Sequence, residues 1–446
     1  MSYTAKNPIR IITAASLFDG HDASINIMRR ILQDFGAEII HLGHNRSVQD
    51  VVTAALQEGA QSICISSYQG GHMEYFKYMR DLLDANGAGY VKIYGGGGGV
   101  IVFDEKRELE AYGISQIFHP EDGRKLGLEG MIQMVIEGSD YNLLDAAKQS
   151  EVKKSKYTDE WLQQCRELGL ILTALELNAD YKLAAKAVSA SHTATTLGIT
   201  GTGGAGKSSL IDELLHRYKN AFANKTAAVV CVDPTKKKTG GALLGDRIRM
   251  NSLSRPGLFM RSLASRGSGS EVADALPKVL NLLKEKGFEF LIAETSGIGQ
   301  AASRITEVSD ISMYVMTSEF GAQSQLEKID MIDYADFIVI NKADRRGSQD
   351  ALHDVKKQYK RSRKQFTVND SDLPVYLCQA SQFNDGGVNQ LFLSLASKLA
   401  ESEKSFSVSK EFLDNLKETT KQTIIPPDRA PYLMDIAKTL RTYKKE

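Results

Sequence analysis

Between Ile9 and about Gly138, short apolar runs alternate with longer stretches whose apolar residues recur every three to four positions. The runs IRIITAA (9–15), EIIHLG (38–43), SICISS (62–67), YVKIYG (90–95) and ISQIFH (114–119) predict strands, and the segments between them predict helices. Five such units predict a parallel sheet covered on both faces, a flavodoxin-like (Rossmann-type) α/β domain over residues 1–141. Residues 142–190 are rich in Ala, Leu, Lys and Glu with a single Gly, which predicts a helical linker. A second α/β series runs from 191 to 400, with strands at LGITG, AAVVCVDP, FEFLIAETSG, ISMYVMT, DFIVINKAD and PVYLCQAS. The tail, 401–446, is charged and helical in pattern, interrupted by IIPPDRAP (424–431).

Composition narrows the function classes. Lys+Arg and Asp+Glu both count 55, so no global positive field gathers nucleic acid or an anionic membrane. The start, MSYTAKNPIR, lacks the apolar core of a secretory signal, and no apolar run is long enough to suggest a membrane span. Cys64, Cys165, Cys231 and Cys378 lie far apart with no C-x-x-C pair, against a zinc knuckle or a disulfide framework. A cytoplasmic location without nucleic-acid or membrane partners is the expectation.

GTGGAGKSS (201–209) follows an apolar strand and opens a helical stretch, the context a P-loop requires. Gly201, Gly204, Ala205 and Gly206 let backbone N–H groups turn in around a β-phosphate, and Lys207 supplies charge for the β and γ oxygens. Ser208 can ligate Mg²⁺, with Ser209 beside it. NKAD (341–344) ends a later apolar strand. There Asp344 can accept two hydrogen bonds from guanine, which adenine cannot offer; Asn341 would hold the loop and contact the base, and the stem of Lys342, with Ala343, would cover its face. Asp233 and Glu294 close two further strands as candidate Mg²⁺ ligands, although either could instead cap a helix. The Gly-rich segment 240–250 adds Asp246 and Arg249 and reads as a mobile switch.

VDPTKKKTGGALLGDRIRM, FMRSLASRG and AETSGIGQ resemble the motifs of the G-protein chaperones that serve adenosylcobalamin-dependent acyl-CoA mutases, over roughly residues 160–400. The resemblance implies GTP and GDP as ligands, with Ser208, Asp233, Asp246 and Glu294 on Mg²⁺, Arg249 on GTP, and Asn341 to Asp344 on guanine. It further implies water attack on the γ-phosphate, with Lys207 and Glu294 in catalytic roles. Gln300 and Glu294 are the candidates for orienting the water.

DGHDAS (19–24) resembles the D-x-H-x-x-G signature of base-off, His-on cobalamin modules. The companion motifs fall at matching distances: SSY (66–68) after 41 intervening residues and GGGGG (95–99) after a further 26. His21 would then be the lower axial ligand of cobalt, with Asp19 fixing its tautomer. Small residues at strand ends, Ser66, Ser67, Gly95 and Gly96, would leave room for the nucleotide tail. Ser24 stands where the signature has Gly and Tyr68 where it has Leu, and SSYQGGH is the form associated with fused isobutyryl-CoA mutases.

The order of cobalamin module, linker and G-protein, together with PPDRAPYL, resembles that fused family. Its (β/α)₈ substrate barrel needs about 250 residues, and only 47 follow Leu399. The expected partner is therefore an acyl-CoA mutase barrel, fused or separate, and the resemblance to that family, with its helical C-terminal arms, implies a homodimer. Two alternatives are compatible with the same motifs: a cobalamin-dependent regulator without a mutase, and a metallochaperone-type GTPase. A receiver-like first domain would instead use Asp19 and Asp22 as an acidic Mg²⁺ pocket.

Overall fold

The computed structural model describes residues 3–179, 194–236, 238–266, 275–295, 305–321, 326, 329–417 and 432–444. Gln300, the segment 424–431 and the end of the expected linker (180–190) lie outside the described residues.

The first domain is built on β1 (Arg10–Ser16), β2 (Glu38–Arg46), β3 (Ser62–Ser66), β4 (Lys92–Gly96) and β5 (Gln116–Phe118). Its helices are α1 (Ala23–Asp34), α2 (Val48–Glu58), α3 (His72–Ala85), α4 (Phe103–Tyr112) and α5 (Pro120–Ser139). All strand pairs are parallel, in the order β5-β4-β3-β1-β2. Every residue of β1 is buried, as a parallel strand covered by helices on both faces must be. The chain continues through α6 (Leu143–Lys148) and α7 (Glu160–Glu176).

The second domain has β6 (Thr195–Gly201), α8 (Lys207–Ala221), β7 (Ala227–Asp233), β9 (Leu258–Ala264), α9 (Leu276–Glu285), β10 (Phe290–Thr295), β11 (Ile311–Thr317), β12 (Phe337–Asn341) and β13 (Val375–Leu377). They form a seven-stranded parallel sheet ordered β13-β12-β11-β6-β10-β7-β9. One strand from this part of the chain goes elsewhere. β8 (Ala242–Leu244) pairs in parallel with β2 and becomes the sixth strand of the first sheet.

Two strands were thus missed by the sequence pattern, β8 and β9. β9 carries Arg261 in its middle, which breaks the apolar run; the side chain is nonetheless buried, held by Glu176 of α7 at 2.5 Å. The helix α2 explains the join between the domains. Ser47 caps its start by accepting from the Asp50 N–H, and Gly59 ends it in the left-handed region at φ 58°. Nine of its residues are buried, because it packs on its own sheet and also on α7 and β9. The crossing with α7 is close: a Cβ on Gly169 would stand 2.0 Å from the Leu56 carbonyl oxygen. Around it lies a buried ion network, in which Arg10 and Arg266 meet Glu38 and Glu176 while Arg247 meets Glu58.

Candidate functional site

Two sites sit at the carboxyl ends of the two sheets, where open α/β sheets place their ligands. In the first, the loop after β1 carries Asp19 and His21. The Asp19 carboxylate is buried, and its Oδ1 accepts from the His21 backbone N–H at 2.8 Å and meets the ring Nδ1 at 2.9 Å. Oδ2 accepts from the Tyr68 N–H at 2.6 Å. With Nδ1 engaged, the ring presents Nε2 outward; the His21 side chain is 75% exposed against 1% for Asp19. The preceding residue, Phe18, holds a left-handed φ of 63° with its N–H donated to Asn45. A non-glycine residue in that region stores strain where the loop must be held in one shape.

Beside this loop a cavity of about 310 Å³ runs between the sheet and α1 and α5, lined among others by Ser24, Ser66, Tyr68, Gly95 and Gly96. The two residues that depart from the cobalamin signature are joined: Ser24 Oγ lies 3.0 Å from the Tyr68 hydroxyl. Ser66 Oγ is buried at the cavity wall with no hydrogen-bond partner, a polar atom suited to a ligand in the slot. Ser67 turns away from it, its hydroxyl accepting from Ser16 at 2.9 Å. Gly95 and Gly96 both line the slot, and Gly95 has a second reason to be glycine. A Cβ on Gly95 would meet the Phe76 ring at 2.4 Å, so packing by α3 already requires glycine there. The donor set and the slot fit a cobalamin: an outward imidazole nitrogen, a carboxylate behind it, and a cavity with an unpaired hydroxyl.

In the second site, β6 leads through Gly201, Gly204 (φ 73°), Ala205 and Gly206 (φ 88°) into α8, which opens with Lys207, Ser208 and Ser209. Lys207 Nζ lies 3.3 Å from the Gly201 carbonyl and 3.9 Å from Glu294. Ser208 Oγ donates to Asp246 Oδ1 at 2.7 Å and lies 3.5 Å from Glu294 Oε1. Asp233 stands beside this group, accepting from the Gly245 N–H at 3.2 Å. Arg249, half exposed, comes within 3.8 Å of Asp246. Burial, and then the neighbouring Asp246, push the Asp233 carboxyl up to about 8 and Glu294 well above the usual range. Carboxylates crowded beside a serine hydroxyl at a P-loop suit a hard divalent cation such as Mg²⁺. Sequence reasoning missed Cys231, whose Sγ joins Asp246 and Glu294 within 4.8 Å. Its position two residues before Asp233 on a strand was the available signal.

Asn341 ends β12 and ties three loops together. Its Nδ2 donates to the Ala205 carbonyl at 2.8 Å, and its Oδ1 accepts from the Ala380 N–H at 3.0 Å. The side-chain amide is thus committed to the scaffold, while Lys342 takes a left-handed φ of 61° and Asp344 is exposed beyond it. The Ala343 N–H bonds to the Cys378 carbonyl at 3.0 Å, bringing the loop after β13 alongside. This third loop, Gln379 to Ser381, lies within the stretch PVYLCQAS expected to be strand, because β13 ends at Leu377.

In class, then, the molecule is a P-loop nucleotide-binding domain joined to a flavodoxin-like domain with a histidine beside a ligand slot. Residues 173–422 match the family described as methylmalonyl-CoA mutase-associated GTPase MeaB, and residues 9–122 match the B12 binding domain. The chain belongs to the MeaB GTPase family and carries a B12-binding domain ahead of the GTPase. It is 52% identical to the fused isobutyryl-CoA mutase of Geobacillus kaustophilus over 99% of its own length and 41% of that protein's. It is also 52% identical to the fused isobutyryl-CoA mutase of Cupriavidus metallidurans, over 98% of this chain and 40% of that one. The chain therefore spans about two-fifths of the length of these relatives. A solved LAO/AO transport system kinase is 21% identical, covering 64% of this chain and 80% of its own, with a TM-score of 0.32.

Proposed function

We propose that this chain is a GTP-hydrolysing G-protein chaperone with a built-in adenosylcobalamin-binding domain, whose nucleotide state gates loading and protection of the cofactor for an acyl-CoA mutase. The domain limits are taken as 1–141, 142–190, 191–400 and 401–446. The partner is a substrate barrel of the isobutyryl-CoA to n-butyryl-CoA type, fused or separate, in a homodimeric assembly. The observation that carries the reading is the outward imidazole of His21, backed by buried Asp19 at the mouth of the slot.

His21 would hold the cobalt through Nε2, while Asp19 keeps Nδ1 as N–H, which would raise the basicity and fix the orientation of the ring. Ser24, Ser66, Tyr68, Gly95 and Gly96 form the surroundings of the tail, with Ser67 held behind them by Ser16. Bound adenosylcobalamin supplies radical chemistry to the mutase. In the other site the P-loop backbone, Lys207 and Arg249 hold phosphates, while Ser208, Asp233, Asp246 and Glu294 serve Mg²⁺. Lys342, Ala343 and Asp344 form the guanine pocket, and Asn341 holds their loop to the P-loop. Fixed charge at the γ-phosphate lowers the barrier to water attack.

The test is an absorbance titration of the purified chain with adenosylcobalamin. A base-off, His-on spectrum in the wild type that is lost in His21→Ala supports the reading, and no binding by either protein overturns it.

A further inference from the structure

Asp246 occupies the 3₁₀ turn Asp246–Arg249, immediately after β8. On one side of it, β8 pairs with β2 in the register Glu38↔Ala242, Ile39↔Leu243, Ile40↔Leu244, and the Ala242 N–H donates to the Ala37 carbonyl at 3.2 Å. The approach is tight, since a Cβ on Gly241 would stand 2.0 Å from the Gln33 carbonyl oxygen. On the other side, Arg247 reaches into the first domain, with NH2 donating to Gln57 Oε1 at 2.6 Å and NH1 to Glu58 Oε1 at 3.2 Å. One residue further, the Ile248 carbonyl accepts from Arg46 NH2 at 2.9 Å. Glu58 is itself fixed, accepting from the Ser262 N–H and hydroxyl at 2.9 Å each. The segment carrying Asp246 is thus anchored before and after by the B12-binding domain, while Asp246 meets Ser208 of the P-loop.

We infer that the B12-binding domain completes the GTPase metal site: Glu58 and Arg46 are positioning residues that hold the Asp246 segment so that its carboxylate faces Ser208 and the bound cation. The inference rests on the reading of Asp246 as an Mg²⁺ ligand. Its physical basis is that a hard, near-octahedral cation tolerates little displacement of a ligand, and a short three-residue strand has few contacts of its own to hold one. Glu58→Gln removes the charge facing Arg247 and keeps the side-chain shape. Arg46→Ala removes the hold on Ile248 from a partly exposed position and leaves the core intact.

The experiment measures GTP hydrolysis by the full chain against Mg²⁺ concentration for the wild type and both variants, alongside binding of a fluorescent GDP analogue in EDTA. The half-saturating Mg²⁺ concentration is expected to rise about tenfold in Glu58→Gln and several-fold in Arg46→Ala, with the metal-free GDP affinity unchanged. A merely structural role would lower the melting temperature and leave the Mg²⁺ dependence where it was, and that result overturns the inference. Should Glu58→Gln not fold, Arg46→Ala decides alone. A wild type that hydrolyses no GTP refutes the functional reading instead, which keeps the two failures distinguishable.

Discussion

Asn341→Ala separates scaffold from recognition within one tetrapeptide. The Asn341 side chain is 2% exposed and makes two close hydrogen bonds to main chain, to the Ala205 carbonyl and from the Ala380 N–H, with a longer one to the Gly206 carbonyl at 3.5 Å. Truncation leaves both backbone groups without that partner in a buried setting. An orphaned buried group costs about 1–3 kcal/mol, so the pair costs about 2–4 kcal/mol, the carbonyl falling at the low end because it keeps a second lone pair. For a domain of about 200 residues this lowers the melting temperature by roughly 4–16 °C. Ala205 lies within the P-loop, so the same change weakens GDP and ATP binding alike. Asp344 is exposed and makes no hydrogen bond recorded among the described residues; Asp344→Asn should leave the melting temperature within about 1 °C and cost only guanine affinity. Thermal unfolding by circular dichroism with fluorescent nucleotide titrations reads both effects. An Asn341→Ala protein that melts with the wild type, or GTP hydrolysis untouched by Asp344→Asn, would refute the reasoning.

Two further outcomes follow from named contacts. Tyr68→Phe frees Ser24 at the slot; if the cobalamin tail must displace that hydrogen bond, affinity for adenosylcobalamin rises roughly 2- to 10-fold, corresponding to a net 0.5–1.5 kcal/mol, and isothermal titration showing weaker binding would contradict this. Burial pushes the His41 imidazole down from 6.5 to about 4, its Nδ1 meeting Thr13 at 2.9 Å. The folded state therefore binds that proton less readily than the unfolded chain, and stability falls as pH drops from about 6.5 towards 4 by at most about 3 kcal/mol; denaturant melts of His41→Gln should show a shallower acid loss, and an unchanged slope would count against the assignment.

Much of this was legible in the chain because long apolar strands followed by chemically distinctive loops survive any tertiary context. The P-loop, NKAD and DGHDAS all lie where strand ends were expected. What stayed hidden depends on contacts between distant segments. β8 is three residues long inside a Gly-rich stretch and becomes a strand only because β2 offers it an edge. β9 hides behind Arg261, a charge made tolerable by Glu176 of α7, 85 residues away. Cys231 reads as one more apolar strand residue until the fold sets it against Glu294. The Ser24 and Tyr68 departures looked like two independent losses of a motif, whereas the fold makes them one hydrogen-bonded pair.

The central claim is that the two sites are coupled, and the most direct test is the dissociation constant for adenosylcobalamin measured with Mg²⁺ and either GDP or a non-hydrolysable GTP analogue. Coupling energies of about 1–3 kcal/mol correspond to shifts of roughly 5- to 150-fold, and a difference of at least fivefold is predicted. Identical constants in the two nucleotide states would contradict the account, leaving a GTPase and a cobalamin module that share a chain without sharing a function.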